Sequence, residues 1–112
     1  MSSLSRGAPR RDPAPVFAAL GDRTRLSLLM KLSDGQARSI ASLSTDTRLT
    51  RQAITKHLHV LQGAGLVSSR RVGRESRFAY APEPIAEARS YLETVSAQWD
   101  DALGRLRSLV ED

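Results

Sequence analysis

The chain has no cysteine. That excludes disulfides and thiolate metal sites, and it permits a reducing compartment. Histidine is nearly as scarce, with two in all, His57 and His59. Helical residues two apart point about 200° from each other, so this pair cannot share one ion, and no metal site is expected. No apolar run approaches the roughly 20 residues of a membrane span. The first 15 residues hold Ser, Gly, Pro and Arg but no apolar h-region, unlike a secretory signal. A soluble, cytoplasmic protein without membrane contact is expected. A nucleophile elbow, a phosphate-cradling glycine loop and a supported carboxylate pair are also missing. No catalytic residue, cofactor or enzymatic activity is expected. Aromatics make up only 4%, and Phe78 and Tyr80, alternating with Arg77 and Ala79, read as packing residues rather than a base-stacking platform.

What is present is positive charge in one place. The 112 residues, enough for one compact domain, carry a formal charge of +5. Between Arg48 and Arg77 there are seven cations, opposed only by Glu75. From Glu83 onward seven acids face three arginines. The middle of the chain suits a polyanion such as nucleic acid, and the end does not.

Residues 1–13 read as a disordered basic arm, with Arg6, Arg10 and Arg11 available for phosphate. Residues 14–112 form the folded domain. A short apolar helix spans Ala14 to Leu20 and ends at Gly21. Asp22 caps a second helix running to about Leu32, with Leu26, Leu29, Met30 and Leu32 as its buried stripe. Asp34-Gly35 marks a turn. Ser39 caps a third helix, with Ile40, Ala41 and Leu43 inward, and Leu49 anchors the turn after it. Thr50 caps a fourth helix to about Gly63, with Gly65 as its left-handed terminator. Strands follow over Leu66–Val72 and Ser76–Ala81, joined by Gly73-Arg74-Glu75. Pro82 and Pro84 bracket the start of a last helix reaching about Val110. The class is mainly α with a small β-hairpin: a winged helix-turn-helix, dimeric, with a long C-terminal dimerisation helix.

The fourth helix reads as the DNA-reading element. Ile54, Leu58 and Leu61 make one apolar stripe. Arg51, Gln52, Thr55, Lys56, His59 and Gln62 fall largely off it. Arginine can bond guanine bidentately and glutamine can do so for adenine, while threonine offers a hydroxyl and a methyl. The first turn of such a helix usually enters the major groove. Arg51, Gln52 and Thr55 are therefore the candidate base contacts, with Thr50 on the backbone, Lys56 on a phosphate and His59 on the same face. His57, beside the apolar stripe, reads as bonded within the domain or to a phosphate. In the hairpin, Arg70, Arg71, Arg74 and Arg77 crowd about 16 residues. Arg74 sits at the tip in any register and can enter a minor groove; Arg71 and Arg77 flank it.

In the last helix Ile85, Ala88, Leu92, Val95, Trp99, Ala102, Leu106 and Leu109 recur at alternating spacings of three and four, a heptad stripe that Leu103 and Val110 widen. A helix of about 27 residues is about 40 Å long, longer than a domain of this size is wide. Leu92, Val95, Trp99, Ala102, Leu103 and Leu106 are therefore the candidate seam with a second copy, Trp99 being its anchor. A two-fold dimer would place two reading helices on one face of DNA, about one helical turn apart or a multiple of it.

These residues resemble the ArsR/SmtB-type winged-helix regulators of bacteria and archaea. The likeness rests on Phe17-Ala18-Ala19-Leu20-Gly21-Asp22-Arg23-Thr24-Arg25-Leu26, on Leu49 through Leu61 and on Ala64-Gly65-Leu66-Val67, which are specific in combination. It covers about Val16 to Ala81, and the last helix in general character. The resemblance implies a homodimeric transcriptional repressor binding an imperfect palindrome near a promoter. It implies that the first helix, through Val16, Phe17 and Leu20, shares the dimer interface with the last. It also implies that Thr50, Arg51, Thr55 and Lys56 face DNA. Metal-sensing members carry thiolates on the helix matching Ile40 to Thr45, or Asp, His and Glu on the last helix. This chain has no cysteine, and its last helix has no histidine, so a transition-metal sensor is disfavoured. Arg48 stands where many members have glycine and is a candidate phosphate contact. The expected partners are double-stranded DNA and a second copy, with any small-molecule effector unidentified. The competing reading is a winged helix used for nonspecific DNA packaging or for protein contacts.

Overall fold

The computed structural model describes residues 12–111; the basic arm expected over residues 1–13 lies, up to residue 11, outside them. Four of the five described helices begin where a side chain accepts from a free backbone N–H. Asp12 Oδ1 accepts from the Ala14 amide at 3.0 Å, opening α1 (Ala14–Leu20). Asp22 accepts from the Arg25 amide and caps α2 (Arg23–Lys31). After the two-residue β1 (Arg38–Ser39), Ser39 caps α3 (Ile40–Leu43), and Thr50 caps α4 (Arg51–Gly63). Such caps contribute about 1 kcal/mol each. α4 ends at Gly65, whose φ of +77° lets its amide reach Gln62 O and that of Leu66 reach Leu61 O, both at 2.9 Å, closing the exposed carbonyls. Then come β2 (Val67–Val72), β3 (Glu75–Tyr80) and α5 (Glu83–Glu111).

The five described helices and the inner face of the sheet enclose the core. α4 contributes Ile54, Leu58 and Leu61, all 0% exposed, and this is the stripe its spacing predicts. α1 adds Val16 and Ala19, the hairpin Val67 and Phe78, and α5 Pro84 and Ala88. Two expectations fail in α2 and the turn. Leu26 and Met30 are 47% and 72% exposed, and Leu28 takes their place beside Leu29 and Leu32. Positions 28, 29 and 32 fall within one 100° sector of a helix, whereas 26 and 30 lie on the far side. Leu49 is 37% exposed and does not anchor the turn. Polar groups hold it instead: Thr47 Oγ1 accepts from the Leu49 amide at 3.2 Å, and Lys31 Nζ donates to Leu43 O at 3.2 Å and to Asp46.

The sheet has the order β1-β3-β2, all antiparallel. β1 is a third strand that the sequence reading omits; its two residues are too few to show an alternation. Val72 pairs with Glu75, so the hairpin closes with the two residues Gly73-Arg74 rather than three, and Glu75 belongs to β3. Gly73 has φ +64°, as a twist-matched two-residue hairpin turn requires. α5 runs 29 residues, about 43 Å at 1.5 Å per residue. Its N-terminal part packs on the domain, where Tyr91 meets Phe17 of α1 with ring centroids 6.2 Å apart.

Candidate nucleic-acid interface

With its apolar stripe in the core, α4 turns the opposite face outward. Arg51, Gln52, Thr55, Lys56 and His59 of that face line a groove of about 710 Å³, closed on the far side by Arg74, Glu75 and Ser76 of the wing. Its third wall is Ser39–Ala41 at the start of α3, a contribution that the reading of Ser39 as a cap did not reveal. Six of the ten candidate DNA-contacting residues thus share one concavity. Arg51, Lys56 and Arg74 form no ion pair among the described residues, so their charge is open to an incoming phosphate. Helix and wing are fastened together by Gln62, whose Nε2 donates to Ser69 Oγ at 3.1 Å.

The other four stand apart from this groove. The Thr50 hydroxyl oxygen accepts the Ala53 amide at 3.1 Å as a helix cap. Arg48 is exposed in the turn before it. Arg71 and Arg77 lie on opposite faces of the hairpin: Arg70 pairs with Arg77 and Arg71 with Ser76, and side chains directly opposite share a face. Arg71 is therefore on the Phe78 side, toward α4. Arg77 is on the outer face, with Nε and Nη2 both 3.2 Å from Glu75 Oε1. Thr55, inside the groove, donates its hydroxyl to Arg51 O at 2.7 Å, which leaves its methyl and its lone pairs for a ligand.

Three carboxylates brace the elements behind the groove, and each is held below the usual carboxylate range. The Lys31 ammonium does this for Asp46, chiefly by hydrogen bonding. The Gln36 amide does it for Asp34, helped by Arg38 Nη2 at 2.6 Å. The Arg25 amide does it for Asp22. His57 points away from the groove, its Nδ1 3.3 Å from Arg25 Nη1, bonded within the domain as its position beside the apolar stripe suggested. Among the described residues no group of three or more His, Cys, Asp or Glu could hold a metal ion. Nor is any helix there long and apolar enough to cross a membrane.

A second, apolar groove of about 340 Å³ lies between α1 and α5, lined by Phe17, Leu20, Ile85, Ala88 and Leu92. Leu92 and, further along α5, Trp99, Leu103 and Leu106 are exposed, and Val95 and Ala102 are half-buried. Val16, grouped by resemblance with Phe17 and Leu20, is 4% exposed and packs inside its own chain, so α1 offers Phe17 and Leu20 alone.

The family model for bacterial regulatory proteins of the arsR family matches residues 22–69, from the cap of α2 into β2. An uncharacterized HTH-type transcriptional regulator of Bacillus subtilis, YuzN, is 41% identical across 62% of this chain and 83% of its own length. An ArsR-like transcriptional regulator from Rhodococcus sp. RHA1 superposes with a TM-score of 0.76 at 41% identity, covering 87% of this chain and 91% of that one. A homodimeric winged helix-turn-helix DNA-binding domain from Mycobacterium bovis, a possible ArsR-family transcriptional regulator, superposes with a TM-score of 0.59 at 25% identity, covering 85% and 94%. Fold, groove and relatives agree: the chain belongs to the arsR family of bacterial regulatory proteins, as a winged helix-turn-helix transcriptional regulator and not an enzyme.

Proposed function

We propose that this chain is a homodimeric repressor of the cytoplasm that binds a palindromic operator, reading each half-site with α4 and the wing. The observation that carries the reading is the groove in which Arg51, Gln52, Thr55, Lys56 and His59 of one helix face Arg74 of the wing. Arg51 and Gln52, on the first turn of α4, reach base edges in the major groove. Lys56 takes a phosphate, and Arg74 enters the adjacent minor groove at the hairpin tip. Arg48 and Arg71 add phosphate contacts at the margins, and Thr50 serves chiefly as the cap that keeps the first turn formed. Arg77, on the outer face and held by Glu75, is outside the groove lining.

The second copy is supported by what one chain leaves uncovered. Phe17 and Leu20 of α1 share an apolar groove with Leu92, and Trp99, Leu103 and Leu106 of the same helix are exposed, the kind of surface that marks a protein contact. The Mycobacterium bovis neighbour is a homodimer of the same fold.

Selection of binding sites from a random duplex library with purified protein tests the reading. A palindrome with half-sites about one helical turn apart, or a multiple of it, is the expected product. Specific affinity should exceed that for random duplex by at least about 10³. Salt-sensitive binding without enrichment would instead identify a packaging protein held by electrostatics alone.

A further inference from the structure

Besides their apolar packing, the reading helix and the helix that faces the second copy are joined by one polar side chain. α1 has only seven residues, and so short a helix leaves most of its terminal carbonyls without a partner in the helix. Arg25 of α2 supplies partners: Nε donates to Ala19 O at 2.7 Å and Nη2 to Ala18 O at 3.3 Å. The remaining arm, Nη1, reaches His57 Nδ1 of α4 at 3.3 Å. A guanidinium can only donate, so Nδ1 accepts. Asp22 stands beside the cluster: its Oδ2 accepts the Arg25 amide at 3.0 Å and lies 3.7 Å from the imidazole nitrogen, beyond hydrogen-bond reach. One planar fork thus spans the end of α1, the start of α2 and the middle of α4. Apolar burial keeps these helices together but has no direction of its own; a guanidinium fork has fixed geometry.

We propose that Arg25, acting through His57, is a positioning residue that fixes the angle of α4 relative to α1 and thereby the half-site spacing the dimer accepts. This rests on the dimer and palindrome proposed above. In a two-fold dimer, the interface helices and that angle together set where the two reading helices stand. One inserted base pair moves the second half-site by about 3.4 Å and turns it by about 34°. A dimer with rigidly held α4 helices rejects that spacing, and one with a loosened link tolerates it.

The test uses the full chain and duplexes bearing the selected palindrome at its own spacing, with one base pair added, with one removed, and as a single half-site. His57→Leu cuts the α4 end of the link and leaves the bonds of Arg25 to α1 in place. His57→Asn returns an acceptor close to the position of Nδ1. Neither Arg25 nor His57 lines the DNA groove. Wild type and His57→Asn should prefer the native spacing by at least about tenfold, and His57→Leu by less than about threefold, with half-site affinity unchanged. Arg25→Met should behave like His57→Leu; if it fails to fold, the two His57 variants decide, because that ring is only partly buried. Full spacing preference in folded His57→Leu overturns the proposal. So does an equal loss on every duplex, half-site included, which is what a merely structural role would give. A wild type with no spacing preference overturns the palindrome reading itself, and this inference with it.

Discussion

Trp99→Ala should take the dimer apart without disturbing the core of the single chain. The residue is 63% exposed when one chain stands alone, so its ring gives the monomer little. Of the roughly 250 Å² that a covered tryptophan buries, about 160 Å² is free for a second copy. At about 25 cal/mol per Å² this is about 4 kcal/mol. Two-fold symmetry presents the ring twice, while alanine keeps part of each contact and neighbouring side chains relax into the gap. A net loss of about 4 kcal/mol per dimer is then a modest expectation, equivalent to about a thousandfold in the dissociation constant. Sedimentation equilibrium measures it directly. Trp99 is the only tryptophan, so the emission of the wild-type protein gives a second reading: it should shift to the red on dilution through the monomer–dimer transition. A dissociation constant within tenfold of wild type, or an emission maximum indifferent to dilution, would refute the assignment of this stripe to a dimer seam.

Arg51→Ala should cost about 1–3 kcal/mol on the selected operator and relax preference at one base position; equal loss on all duplexes would reassign Arg51 to a phosphate. Thr50→Ala should destabilise the fold by about 1 kcal/mol in urea unfolding at fixed protein concentration, with Thr50→Ser close to wild type; an alanine variant as stable as the parent would dismiss the cap. Acid should weaken the fold through Asp22, Asp34 and Asp46. Each carboxyl is lower in the folded state than in the unfolded chain, so the unfolded chain binds protons first. Their contribution is present above the ordinary carboxylate range and is lost as pH falls through it toward the lowered folded values. Asp22→Asn, which keeps a capping side chain, should flatten the acid limb of the pH–stability curve; a limb of unchanged slope would count against that linkage.

Helix starts were legible in the sequence because their signals are local. Asp22, Ser39 and Thr50 each cap the helix expected of them, and the stripe of α4 needs only its own spacing to be read. Errors arose where a neighbour decides the outcome. Leu26, Leu28, Leu29 and Met30 are alike in hydropathy, and only the seat of α2 on α4 selects which of them is buried. β1 exists because β3 offers it an edge, which nothing in Arg38-Ser39 announces. The groove residues on α4 were found because one helix face carries them, whereas the faces of Arg71 and Arg77 depend on a register set by the turn. A three-residue turn left that register open, and the two-residue turn at Gly73-Arg74 decides it. The links of Arg25 are not legible in the sequence, because its side-chain partners lie in α1 and α4, six and 32 residues away.

That turn also imposes a parity rule on the wing. Val67 and Phe78 anchor the base of the hairpin in the core, and each residue beyond them alternates between the face toward α4 and the face away from it. A single residue inserted in one strand, unless a bulge absorbs it, would exchange the two faces as far as the tip. Lengthening that preserves the faces must add two residues to each strand, which advances the tip by about 6.8 Å, or about two base-pair steps along the duplex axis. The reach of the wing is thus quantised, and chains of this architecture can vary it only in whole strides.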